Sequence, residues 1–206
     1  MEKMKKNYYY LGTGLYLLVA ALCFFVLKDN IDKIVAKDSM WNTLVSPFRF
    51  ETKDQLILCS IPFVVVSLFL EKNYGSINYL LLILLGIPIV SLVNLSVIQA
   101  GLYTGMNLLN YYLIGVFLVN ILFNLKKYKN NAKEAVLPII VLILLFVLCS
   151  WNVTQVLGVK EIKDLLEFEF LCKAKEYVNR TAIFIGAVIA LISKVLKNEN
   201  GDSYGW

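Results

Sequence analysis

Histidine is absent from this chain, and no charged residue occurs between Lys72 and Lys126. The first absence removes the imidazole general base, the His–Cys nucleophile pair and the histidine metal site. The second describes a stretch long enough to cross a bilayer twice without an ionisable group. Charge is scarce throughout, at 17% of residues, where a soluble domain carries about 25%. Neither a G-x-S-x-G elbow nor a Walker-type phosphate loop is present. The four cysteines, Cys23, Cys59, Cys149 and Cys172, include no C-x-x-C pair. Three of them sit in apolar runs and read as small buried hydrophobes.

The rest of the composition is apolar. Hydrophobic residues make up 59% of the 206 positions, and mean hydropathy is +0.68. A transmembrane helix needs about 20 predominantly apolar residues. Such runs lie at 8–27, 55–71, 77–99, 104–125, 135–154 and 178–196. Inside hydrocarbon, backbone polar groups must be satisfied within the segment, so each run is expected to be helical. The expected fold is therefore an all-α polytopic transmembrane bundle of about six spans, forming a single integral-membrane domain over 1–206. The second run is the weakest, being short and interrupted by Pro62. Pro88 is expected to kink the third. The N-terminal run is too long for a signal-peptide core and has no small-x-small site after it, so it reads as an uncleaved first span.

Topology follows from where the cations crowd. Lys126, Lys127 and Lys129 stand at one end of the fourth run, and the other end meets an uncharged connector around Gly101. This contrast predicts a bacterial inner-membrane protein with both termini in the cytoplasm and 197–206 as a mobile cytoplasmic tail. Two segments outside the spans have amphipathic character. Residues 30–45 put Ile31, Ile34, Val35, Trp41, Leu44 and Val45 largely on one helical face, and residues 160–177 carry charge pairs four apart, such as Lys163 and Glu167. Both are expected as outer loops lying on the bundle or the membrane surface.

Three groups of residues stand out. Asn107, Asn110 and Tyr111 belong to an amide-rich pair of spans, and they predict a small polar cavity or, failing that, hydrogen bonds between helices. Ala182, Gly186 and Ala190 recur every four residues, a stripe that lets another helix approach closely, in this chain or in a second copy. Lys126, Lys127, Lys129 and Lys133 form the densest basic segment, suited to anionic lipid or to an acidic cytosolic partner. The carboxylates all read as lying in loops or at interfaces. No metal or cofactor site is expected, and no nucleic-acid surface, since the net charge of +5 is modest. These absences predict a protein without enzymatic function.

In length, hydropathy and lack of catalytic residues, the chain resembles the compact multi-pass membrane proteins of bacterial antiphage systems, such as the membrane subunit of the Kiwa system. That resemblance implies a non-enzymatic subunit that senses membrane or external events and works with a cytosolic partner. A second reading is a substrate-capture subunit similar to the vitamin-binding components of energy-coupling-factor transporters, although the first span offers Gly12, Ala20 and Ala21 rather than an alanine-x-x-x-alanine motif. A third is a channel or immunity protein.

Overall fold

A computed structural model describes residues 10–27, 45–48, 50, 52–97, 106–130, 135–136, 138–144 and 178–194. Every regular element among them is helical. The elements are α1 (Leu11–Leu22), a π-helical continuation (Cys23–Leu27), a 3-10 turn (Ser46–Phe48), α2 (Lys53–Tyr74), α3 (Ser76–Val97), α4 (Asn107–Phe123), a short α5 (Leu125–Asn130), α6 (138–144) and α7 (178–194). Two stretches, Lys53–Tyr74 and Ser76–Val93, are long and apolar enough to cross a bilayer, while α4 and α1 with its extension are apolar but shorter. The amphipathic segment at 30–44, the one at 160–177, the connector at Gly101 and the tail 197–206 lie outside the described residues.

Local chemistry sets the ends of α2. Thr52 is its N-cap and accepts a hydrogen bond from the Gln55 amide at 3.1 Å. Asp54 in the first turn and Lys72 in the last both complement the helix dipole. Pro62 falls inside α2 and Pro88 inside α3, and each helix continues through its proline. At 22 residues α2 is not short. With a rise of about 1.5 Å per residue it spans roughly 33 Å, enough for a hydrocarbon core.

A single residue, Gly75, separates α2 from α3. Its φ of 79° and ψ of 152° belong to a region that side chains do not tolerate, and its amide closes α2 by donating to the Glu71 carbonyl at 2.8 Å. Gly75→Ala is expected to cost about 1–3 kcal/mol, read as a lower thermal midpoint in detergent. No atom lies within 4 Å of the added Cβ, so the loss would come from backbone strain alone.

α2, α3 and α4 pack side by side, with α3 antiparallel to the other two. Cys59 and Asn73 of α2 bond Asn107 and Asn120 of α4 respectively, so those two helices run in the same direction. The α3–α4 contact is made by Tyr112, whose hydroxyl donates to the Leu82 carbonyl at 3.2 Å while its ring fills the space left by Gly86. Phe69 meets Phe117 edge to face at a ring separation of 4.8 Å. The core includes Phe63, Leu70, Tyr79, Ile83, Leu109, Leu113 and Phe117, while Leu81, Leu84, Leu85, Ile140 and Phe184 point outward. An apolar exterior around an apolar core is the pattern of a chain dissolved in lipid.

α7 joins the bundle by backbone contact. A Cβ on Gly186 would overlap the carbonyl of Tyr112, and one on Gly115 would overlap the carbonyl of Ile183. Ala182 and Ala190 are fully buried on the same side. The small-residue stripe of the last helix thus lies against α4 of its own chain.

Candidate functional site: polar groups buried in the bundle

Polar side chains enter the bundle at two levels. Near the α2–α3 junction stands Glu71, which is fully buried. The expectation that every carboxylate lies in a loop or at an interface is corrected here. Glu71 follows Cys59, Phe63, Val66, Ser67 and Leu70 along the buried face of α2. Its carboxylate reaches across to the start of α1. There it accepts from the Gly12 amide at 2.8 Å, the Thr13 amide at 3.0 Å and the Thr13 hydroxyl at 2.5 Å. α1 needs this partner because its own cap position, Tyr10, has a left-handed backbone and makes no side-chain cap bond. The first amides of a helix have no internal acceptor, and hydrocarbon offers none. Gly12 is the residue that admits the carboxylate, since a Cβ there would sit 3.0 Å from the Tyr79 ring and 3.4 Å from Glu71 Oε1.

Tyr79 of α3 extends the group. Its hydroxyl donates to Ser67 Oγ, and it also lies within reach of the Thr13 hydroxyl. Ser67, Tyr79, Thr13 and Glu71 therefore form one hydroxyl–carboxylate chain joining α1, α2 and α3, and all four are 4% exposed or less. At the same end of the bundle, Asn120 of α4 accepts through Oδ1 from Asn73 at 3.2 Å and from Asn124 at 3.0 Å. Lys194 of α7 stands 5.5 Å from the centre of the Tyr74 ring.

The second level lies toward the other end. Cys59 donates through Sγ to Asn107 Oδ1 at 3.2 Å, and Asn110 donates to the Cys59 carbonyl at 3.0 Å, one turn before Pro62. Asn107 and Asn110 are thus brought together on α2, where they tie two helices rather than line an open cavity. Asn110 is 3% exposed and its Oδ1 has no partner. Tyr111 is only partly buried and packs against the core. Of the basic segment, Lys126, Lys127 and Lys129 lie on α5, with the Lys129 side chain exposed, and Lys133 lies outside the described residues. Among the described residues no cluster of histidine, cysteine or acidic side chains could hold a metal ion.

One groove opens beside these groups. Leu17 and Ala21 of α1 face Leu56, Ile57, Ser60, Ile61, Val64 and Val65 of α2 across a space of about 510 Å³. Its only hydroxyl, Ser60, already donates to the Leu56 carbonyl at 2.6 Å. Next to the groove α1 is held to α2 by Tyr16, which stacks on Phe63 at 4.6 Å.

Comparison with known proteins gives one positive result. Residues 37–162 match the model of the Rhomboid domain. No curated protein and no solved structure matches the chain. The matched region takes in α2 to α6 and leaves α1 and α7 on either side of it. It covers more than half of the sequence, and the chain belongs to the Rhomboid family, whose fold is a polytopic bundle of membrane helices.

This finding overturns two expectations. The family is typically one of intramembrane serine proteases, with inactive members beside them. A non-enzymatic sensor subunit, a transporter capture component or a channel is not what that membership indicates, and nothing supports the likeness to a Kiwa subunit. The absence of catalytic motifs was read as an absence of enzymatic function because a fold-level relationship leaves no mark on composition. What the sequence does establish stands beside the family result: with no histidine anywhere, this chain cannot assemble a serine–histidine pair.

Proposed function

We propose that this Rhomboid-family protein binds the transmembrane segment of another membrane protein in the plane of the bilayer, the recognition step on which intramembrane proteolysis depends. The groove between α1 and α2 carries this reading. An intramembrane protease takes its peptide from lipid rather than from water, so its recognition surface is apolar and faces sideways. The groove has this character. Ile57 and Ile61 are 57% and 43% exposed, its walls are aliphatic, and its single hydroxyl is satisfied internally. Ala21 leaves room on the α1 side for a helix with larger side chains.

Hydrolysis by this chain requires a base other than imidazole. The Thr13 hydroxyl donates to the Glu71 carboxylate, and that carboxylate is engaged by two backbone amides of α1. Ser67 and Tyr79 are enclosed on all sides. Binding and cleavage are therefore measured separately. We further propose that the protein resides in the bacterial inner membrane with both termini in the cytoplasm, on the density of lysines at 126–129. Labelling of single cysteines at 103 and 130 by an impermeant reagent tests that orientation.

The test of recognition is photocrosslinking in nanodiscs. A photoreactive residue replacing Ile61 is expected to give an adduct with a single-span peptide, and one replacing Leu85 on α3 is not. Equal yields at the two positions, or no adduct at Ile61, would overturn the proposal. Mass spectrometry of the same samples reports any cleaved peptide.

A further inference from the structure

Asn110 of α4 and Ser91 of α3 are sealed inside the bundle, at 3% and 1% exposure. The Nδ2 of Asn110 donates to the Cys59 carbonyl at 3.0 Å, which fixes the orientation of the amide. Its Oδ1 has no hydrogen-bond partner among the described residues, and neither has Ser91 Oγ. Serines within helices commonly return their hydroxyl to the carbonyl four residues earlier. Ser60 does so to Leu56, and Ser193 to Ile189. Ser91 makes no such bond to Ile87, so its hydroxyl is left for something other than its own helix.

These groups stand at one level. α2 and α3 are each 22 residues long and are joined through Gly75 alone. Ser91 follows Gly75 by as many residues as Cys59 precedes it, which puts the two at the same height in the hairpin. Asn110 is tied to that height by its bond to the Cys59 carbonyl. Pro62, one turn further along α2, has no N–H to offer the Leu58 carbonyl. With a rise of about 1.5 Å per residue, Cys59 lies roughly 9 Å below the Lys53 end of α2. Polar groups left bare at such depth are costly, and hydrocarbon supplies no partner. Water can donate to an amide oxygen, accept from a hydroxyl and fit a closed interior, and buried polar groups recruit it for these reasons. We propose that the bundle binds water at this level, held by Asn110 Oδ1 and the Ser91 hydroxyl. Cys59 belongs to the buried face of α2, whereas Ile57, Ser60 and Ile61 line the groove toward α1. The water site is therefore independent of peptide recognition, and the two proposals stand or fall separately.

Infrared spectroscopy of the full chain in nanodiscs transferred to D₂O tests the site. The reporter is the S–H stretch of Cys59, which donates to Asn107 within one turn of Asn110. Cys59→Ala identifies the band. The thiol is expected to become S–D well before the backbone amides around it in α2 exchange, because internal water trades with bulk solvent while the helix stays folded. Ser91→Ala places a strong helix former in α3. It is expected to slow the thiol exchange several-fold and to lower the thermal midpoint. Three results would overturn the proposal. One is deuteration of the thiol only at the rate of the surrounding amides, which would mean that the helix must open first. Another is a raised thermal midpoint in Ser91→Ala, which would mean that the hydroxyl had been bare. The last is an unchanged thiol rate in Ser91→Ala, which would mean that Ser91 holds no water beside Cys59.

Discussion

Glu71→Ala is expected to detach the start of α1 from the bundle. The substitution removes the acceptor for the Gly12 amide, the Thr13 amide and the Thr13 hydroxyl in one step. Each buried donor left without a partner costs about 1–3 kcal/mol, so the total exceeds about 3 kcal/mol even with partial relaxation. Water does not rescue these groups, because Thr13 and Glu71 are sealed by Tyr79. Glu71→Gln is expected to recover little. A glutamine offers one carbonyl oxygen but turns an NH₂ group toward donors that already need acceptors. The thermal midpoint in mild detergent measures the loss, and a spin-label distance between α1 and α2 reports the detachment. Glu71→Gln with wild-type stability would show that the carboxylate is not what holds α1.

Substitutions at the α4–α7 contact are expected to have a comparable or larger effect. Gly115 and Gly186 meet the opposing helix at its backbone rather than at flexible side chains. Backbone carbonyls cannot turn aside, so an added Cβ must push the two helices apart. Ordinary overpacking costs about 1–3 kcal/mol. Separation here also loses the contacts that bury Ala182, Ala190 and Leu113. Gly186→Leu is expected to prevent recovery of a monodisperse protein, and Gly186→Ala to lower the thermal midpoint measurably. Gly14→Ala is the control, because nothing lies within 4 Å of a Cβ at that glycine. A stable Gly186→Leu protein would show that α7 is not held as described.

These two contacts differ in how far they could be read from the chain. The stripe Ala182, Gly186 and Ala190 was visible because small residues at a spacing of four have one physical use in lipid, a close helix approach. Its partner was not visible, since Gly115 stands alone among large residues. Hydropathy marks the apolar runs in which α2, α3 and α4 lie, because each residue is selected separately by its solvent. Glu71 was misread for the same reason: beside Lys72 and Asn73 it looks like a residue at the water boundary. The available signal was its register, which continues the buried series Phe63, Val66, Ser67 and Leu70 of α2. Asn107 and Asn110 were read as lining a small polar cavity or as making hydrogen bonds between helices, and sequence spacing does not show that Cys59 would engage both. Family membership was beyond hydropathy altogether, because any polytopic bundle produces the same profile.

The glycine contact between α4 and α7 also bears on how the protein is made. Gly115 precedes its partner by most of the second half of the chain, and synthesis runs from the N-terminus. Until residue 186 has entered the membrane, the notch at Gly115 is filled by lipid rather than by helix. A nascent chain arrested before residue 178 would therefore still lack the backbone contact between α4 and α7. Insertion of α7 is then the event that closes this contact, and degradation of arrested chains would take place before it.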